Sequence, residues 1–293
     1  MHKLYSNKGV ILSLIAPAVV LFAFAIFIPI LMSGYYGMTE YTGMGEPVFI
    51  GIENYKRLLF NDPTFWKSLR NALLLGLGFV FIQHPFCILF AVLVDKVSGK
   101  WEKFFRTTYF IPNVISVAVI ASLWVYIFNY DFGLINNVLK GLGLENLQRE
   151  WLDPEHALLS VLFVLIWHGF GWGMLIYYAG VKGIDQELYE AAAIDGATGM
   201  KTYWYVTLPL MKPVIRVNVT LAIISALKQM ETVYLLTNGG PGDTTQFLAN
   251  YLYIKAFRSY EYGYGNAISV VFVAICVLAT VILNKIFKTT EEY

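Results

Sequence analysis

From Val10 to Tyr36 the chain runs without a charged side chain, and no other feature restricts its fold as much. About 20 apolar residues suffice for a helix to cross a bilayer, whereas a soluble domain cannot bury so long a run on every side. Five more runs follow, at about Leu69–Val94, Thr108–Asn129, Ala157–Ala179, Pro213–Leu236 and Gly265–Phe287. Pro85 is expected to bend the second, and Pro112 lies near the start of the third. Composition agrees: 57% of residues are hydrophobic and 14% charged, against about 25% charged in a soluble globular domain. The expectation is an all-α polytopic membrane protein with six transmembrane helices. Ala23-Phe24-Ala25 resembles a signal-peptide cleavage site, but the run continues past the ~7–15 apolar residues of a signal core. It is read as an uncleaved first helix. The net charge of +1 gives no footing for a nucleic-acid partner.

Six spans put both ends of the chain on one side. Lys3 and Lys8 at the head, the short basic loop from Lys96 to Arg106, the polar insert after the fourth run, and the tail with Lys285 and Lys288 share that side. The opposite loops are longer and richer in acid, including Asp131, Glu145, Glu150, Asp153 and Glu155. The positive-inside rule therefore predicts cytoplasmic termini. The expected organisation is an N-terminal helix with an outer loop (1–68), a membrane core (69–287) containing a cytoplasmic elbow (182–212), and a cytoplasmic tail (288–293).

The elbow is the polar stretch Lys182–Pro213. Gln186 to Ile194 are good helix formers, with Leu188, Ala191 and Ala192 on one face. Gly196 ends that helix, Thr198 can cap a second through Trp204, and Pro209 opens the next membrane segment. The small side chains of Ala191 to Ala193 would let the backbone sit closely in a groove of another protein, with Glu190 supplying a charge. Glu190-Ala191-Ala192, three residues, Gly196, nine residues, then Val206-Thr207-Leu208-Pro209 resembles the EAA signature of bacterial ABC importer permeases. The resemblance implies a type I importer fold and a coupling helix docked in a cytoplasmic ATPase, carried here by Glu190, Ala191, Ala192, Gly196, Leu208 and Pro209. Asp185 stands where many carbohydrate permeases carry proline, which leaves the start of the helix open.

Nothing in the sequence supplies energy or chemistry of its own. Gly196-Ala-Thr-Gly199-Met-Lys201-Thr202 has Met200 where a phosphate loop needs glycine followed directly by lysine. ATP is therefore expected on a partner, with no cofactor in this chain. His2, His84, His156 and His168 are scattered, and His84 and His168 inside runs are read as packed rather than ligating. Cys87 and Cys276 also fall inside runs, as small packing residues. No metal or catalytic set emerges, and Asn218-Val219-Thr220, a formal glycosylation sequon, lies in a span.

The membrane interior carries side chains suited to sugars. In the fourth run Trp167 and Trp172 are interleaved with Gly169, Gly171 and Gly173, which allow close helix packing. In the fifth, Asn218, Lys228, Gln229, Glu231 and Tyr234 occur where a lipid-facing helix would be apolar, followed by Asn238. These eight polar and aromatic residues are the candidate substrate path. Lys228 and Glu231, three residues apart, could pair on one face and line the route, or sit wetted at its outer end. Val233 through Pro241, with Thr244-Thr245, Tyr251 to Phe257 and Tyr262 to Ala267, resembles carbohydrate importer permeases related to the larger membrane subunit of the maltose system. That resemblance implies a second homologous permease, a pair of ATP-binding subunits, an extracytoplasmic solute-binding protein and a carbohydrate substrate, in a bacterial cytoplasmic membrane. The competing class is an ion- or proton-coupled secondary transporter using Lys228 and Glu231 as a relay, although no internal repeat is visible. A membrane-embedded enzyme lacks any convergent set of catalytic groups.

Overall fold

The structure, a computed structural model, describes residues 8–287; the tail expected at 288–293 and the lysine at position 3 lie outside them. The chain forms two compact units, Met1–Asp62 with Leu252–Ile275 and Pro63–Tyr251 with Cys276–Tyr293. The uncharged first run becomes α1 (Ile11–Tyr36), none of whose most apolar stretch is buried.

In the first unit α1 leads into a hairpin of β1 (Thr39–Glu40) and β2 (Val48–Phe49), antiparallel with Thr39 opposite Phe49. Next comes α2 (Glu53–Phe60). The turn after α1 leaves carbonyl groups that water cannot reach, and buried Asn54 satisfies two of them, donating to Gly37 (3.1 Å) and Thr39 (2.9 Å). Arg57 of α2 lies 4.0 Å over the Tyr264 ring and pairs with Glu261 at 2.6 Å, which Lys255 also meets at 2.8 Å. Burial pushes the Glu261 carboxyl up, but hydrogen bonds from Lys255 and Arg57 outweigh that and hold it below the usual carboxylate range.

The second unit begins at Pro63, where proline suits a first helical turn. From there α3 (Pro63–Asp95) runs through a π-helical turn at Phe79–Gln83. The expected bend at Pro85 takes this form, because a proline removes one rung of the ladder and crowds the carbonyl four residues earlier. Then follow α4 (Lys100–Val114), α5 (Val117–Ile127), α6 (Leu134–Gly141) and α7 (Ala157–Lys182). The core forms where α7 packs on the second half of α3 and on α4, around Cys87, Ala91, Met174, Tyr177 and Met211. Glycine makes this possible: a Cβ on Gly171 would lie 2.1 Å from the Tyr109 carbonyl oxygen of α4.

The remaining elements are α8 (Gln186–Ile194), α9 (Met200–Leu210), α10 (Lys212–Leu227), α11 (Glu231–Leu236), α12 (Leu248–Tyr253) and α13 (Tyr262–Phe287). The loop between α11 and α12 is fastened to the head of α3, where Asn71 donates to the carbonyls of Thr244 and Gln246, both at 2.9 Å.

Among the described residues four helices, α1, α3, α7 and α13, are long and apolar enough to cross a bilayer, and there are six spans if each of two bent pairs is one. Two breaks correct the sequence reading. The third run is not a continuous helix: α4 and α5 meet at 94°, with Ile115 and Ser116 extended and the Ser116 side chain capping α5 by accepting from the Val119 N–H. The supposed basic loop before it is largely helix from Lys100. The fifth run breaks after Leu227 and resumes at Glu231, so Lys228 and Glu231 are not on one continuous helical face. Irregular backbone at this depth survives where it borders a cavity rather than lipid.

Candidate functional site

Two features of the second unit bear on function, the elbow and a polar cleft. In the elbow, Asp185 settles the start of α8: its carboxylate accepts from the Glu187 N–H at 3.2 Å, satisfying an amide that the helix leaves unpaired. At the other end Gly196, at φ +80°, donates to Ala193 (3.1 Å) while Ala197 donates to Ala192 (2.8 Å). This pair of bonds is the Schellman motif, which needs a residue comfortable in the left-handed region. The second helix begins later than expected. Gly199, not Thr198, is its cap, at φ +58° with no side-chain bond. Pro209 stays within α9, near its end and just after a π-helical turn at Tyr203–Thr207 that accommodates the missing donor, and the membrane segment opens with Lys212-Pro213 after a 68° turn.

A hydrogen bond between the Tyr189 and Thr207 hydroxyls, 3.3 Å, ties α8 to α9. Lys182, the last residue of α7, pairs with Asp95 at the end of α3 at 2.7 Å. Glu190, Ala191, Gly196 and Pro209 are exposed, and Ala192 and Leu208 are half-buried. Glu190 forms no ion pair among the described residues. Around it the elbow leaves large apolar side chains open, with Ile194 88% and Tyr205 75% exposed. Side chains of this kind outside an apolar span mark a contact surface.

The cleft, about 550 Å³, lies among α3, α4, α5, α7, α10 and α11. Of the eight path candidates it gathers five: Trp172, Asn218, Lys228, Gln229 and Glu231. Trp172 is half exposed, whereas Asn218 is buried and donates to the Val214 carbonyl (3.1 Å). Lys228 and Glu231 both line the wall, and they form no ion pair with each other among the described residues. The other three candidates lie elsewhere. Trp167 packs edge-on against Trp124 at 5.3 Å, and Tyr234 and Asn238 are not part of the lining.

Six polar residues absent from the candidate list also line the cleft: Gln83, His84, Asn113, His168, Ser225 and Thr232. Of the two histidines read as packed, His84 shares a hydrogen bond through Nδ1 with the Tyr177 hydroxyl at 2.9 Å, whereas Asn113 donates only to the backbone carbonyl of His168 at 3.1 Å and the buried His168 Nε2 has no hydrogen-bond partner among the described residues. The Gln83-His84 pair ahead of Pro85 was the signal available in the sequence. Among the described residues no group of three or more His, Cys, Asp or Glu could hold a metal.

Broken apolar helices around a polar cleft, with a polar helical elbow between two of them, define a membrane permease. Residues 85–289 match the family described as binding-protein-dependent transport system inner membrane component, and the chain belongs to that family. It is a permease subunit of an ABC transporter, a non-catalytic membrane component carrying no cofactor. The chain is 37% identical over 289 residues, 98% of each chain, to the probable ABC transporter permease protein YurN of Bacillus subtilis (strain 168). It is 32% identical over 285 residues, 96% of this chain and 90% of the relative, to the arabinooligosaccharides transport system permease protein AraP of the same organism. Its fold matches, with a TM-score of 0.83 and 23% identity over 97% of both chains, a crystal structure of a bacterial ABC transporter involved in the import of the acidic polysaccharide alginate. Family membership removes the ion-coupled alternative.

Proposed function

We propose that the chain is one of two homologous permease subunits that import a sugar or oligosaccharide through the bacterial cytoplasmic membrane. Both termini and the elbow face the cytoplasm, where a pair of ATPases receives α8. An extracytoplasmic binding protein delivers the sugar on the other side. ATP-driven closure of the ATPases moves the elbow, and the broken helices rock between inward- and outward-open arrangements, a bistable bundle whose equilibrium each partner biases. The observation that carries the carbohydrate assignment is the cleft lining. Trp172 offers a flat apolar face for a sugar ring, and Asn218 and Gln229 offer amides for hydroxyl groups. AraP, named for arabinooligosaccharides, supports the same class.

The test has two parts. The purified chain should bring its ATPase with it, and uptake per assembled complex should fall in Trp172→Ala, Gln229→Ala and Glu231→Ala. Loss of a stacking ring or a buried hydrogen bond costs about 1–3 kcal/mol, a several-fold to hundredfold effect on binding. Should all three variants transport as wild type per complex, the path is not this cleft.

A further inference from the structure

We propose that Gln83 is a sugar-contacting, specificity-determining residue, the group that reads a pair of neighbouring hydroxyls within the cleft. The proposal rests on the carbohydrate reading above and deepens it. Gln83 is the last residue of the π-helical turn Phe79–Gln83, and it is only 5% exposed. Its side chain nevertheless makes no hydrogen bond among the described residues, and it lines the cleft. Neither amide atom is sealed off, so the carboxamide opens on the cleft with no protein partner, where water or a ligand hydroxyl can meet it. Three features retain it here. The extra residue of the π turn shifts the register of α3, a device common at functional sites. The turn is fixed by Pro85, two residues on. Across the cleft wall, Gly169 of α7 leaves the amide its space, since a Cβ there would stand 2.7 Å from Gln83 Nε2. One backbone irregularity and one missing side chain thus hold an unpartnered amide at the cleft.

The amide also specifies what it binds. Its NH2 donates and its carbonyl accepts, so a single side chain answers a pair of adjacent hydroxyls, one as acceptor and one as donor. It carries no charge, so it favours a neutral diol over a carboxylate. His84, next in the chain, adds a buried Nε2 that likewise has no partner among the described residues. A site that hydrogen-bonds a substrate hydroxyl rejects analogues lacking it strongly, because the bound analogue displaces water and leaves the protein amide unpaired.

The experiment is equilibrium dialysis of the assembled transporter in nanodiscs, without its binding protein, against radiolabelled lactose, maltotriose and arabinotriose. The sugar that wild type binds is then titrated against Gln83→Leu, which keeps the volume and removes the amide, and against Gly169→Ala, which keeps the amide and displaces it. Both are expected to weaken binding about tenfold, while the thermal midpoint of the Gln83→Leu complex stays the same or rises, because no hydrogen bond within the protein is lost. A Gln83→Leu complex that binds as tightly as wild type overturns the proposal, and so does one that melts lower, since Gln83 would then be holding the fold. If Trp172→Ala weakens binding and Gln83→Leu does not, the carbohydrate reading stands and this inference fails. If wild type binds none of the three sugars, both fail.

Discussion

Replacing Gly196 tests whether the elbow must hold its shape to couple ATP hydrolysis to transport. The position sits at φ +80°, where an L residue pays about 1–2 kcal/mol for its Cβ, with a β-branched side chain at the upper end. No atom lies within 4 Å of the Cβ that would be added, so the cost is conformational and no collision contributes. Because 1–2 kcal/mol is a factor of roughly 5–30 in an equilibrium, Gly196→Val should reduce the population of the turn by that factor. The Schellman bonds from Gly196 and Ala197 would be lost with it. Asparagine tolerates the left-handed region better than other non-glycine residues, so stimulation should fall in the order Gly196, Asn, Ala, Val. The assay is ATP hydrolysis by the complex reconstituted in liposomes, with and without binding protein and sugar. The membrane spans are untouched, so the amount of complex should hold steady. Full stimulation in Gly196→Val, or an asparagine variant no better than the valine one, would refute the argument.

Glu190→Lys reverses the charge on the exposed face of α8 and should abolish uptake while insertion in the membrane persists, as read by immunoblot of the membrane fraction beside a transport assay. Asp185→Ala removes the cap bond to Glu187 and should destabilise α8 by about 1 kcal/mol, seen as partial loss of stimulated ATP hydrolysis that Asp185→Ser or Asp185→Asn restores. Gly171→Ala forces a Cβ toward the Tyr109 carbonyl oxygen, 2.1 Å away, and should lower the yield of assembled complex while leaving transport per surviving complex near normal. A normal yield would show that α4 and α7 can separate without penalty.

Local signals were legible and relational ones were not. The body and end of α8 follow from its own helix formers and from Gly196, whereas its start stayed open at Asp185, whose capping bond only the structure shows. The existence of six apolar runs was equally plain. What hydropathy could not register was the pair of breaks, at Ile115-Ser116 and at Lys228–Met230, because a window of about 20 residues averages over a kink of two or three. The path candidates divide for a similar reason. Trp167 and Trp172 are five residues apart on α7, which at 100° per residue places them about 140° apart around the helix. One therefore meets Trp124 and the other the cleft, and packing decides which. Gln83 escaped notice because its register depends on a π turn that no periodicity announces.

Hydrocarbon offers nothing to the carbonyl groups released where α4 gives way to α5, since the last four of any α-helix lack intrahelical partners. At 1.5 Å per residue α5, 11 residues long, rises about 16 Å, near half the ~30 Å core of a bilayer. Asn113 and Val117, on either side of the right-angle turn, both line the cleft, so the released groups adjoin a space that water can enter. Water standing in that space can take the place of the helical partners that the right-angle turn removes.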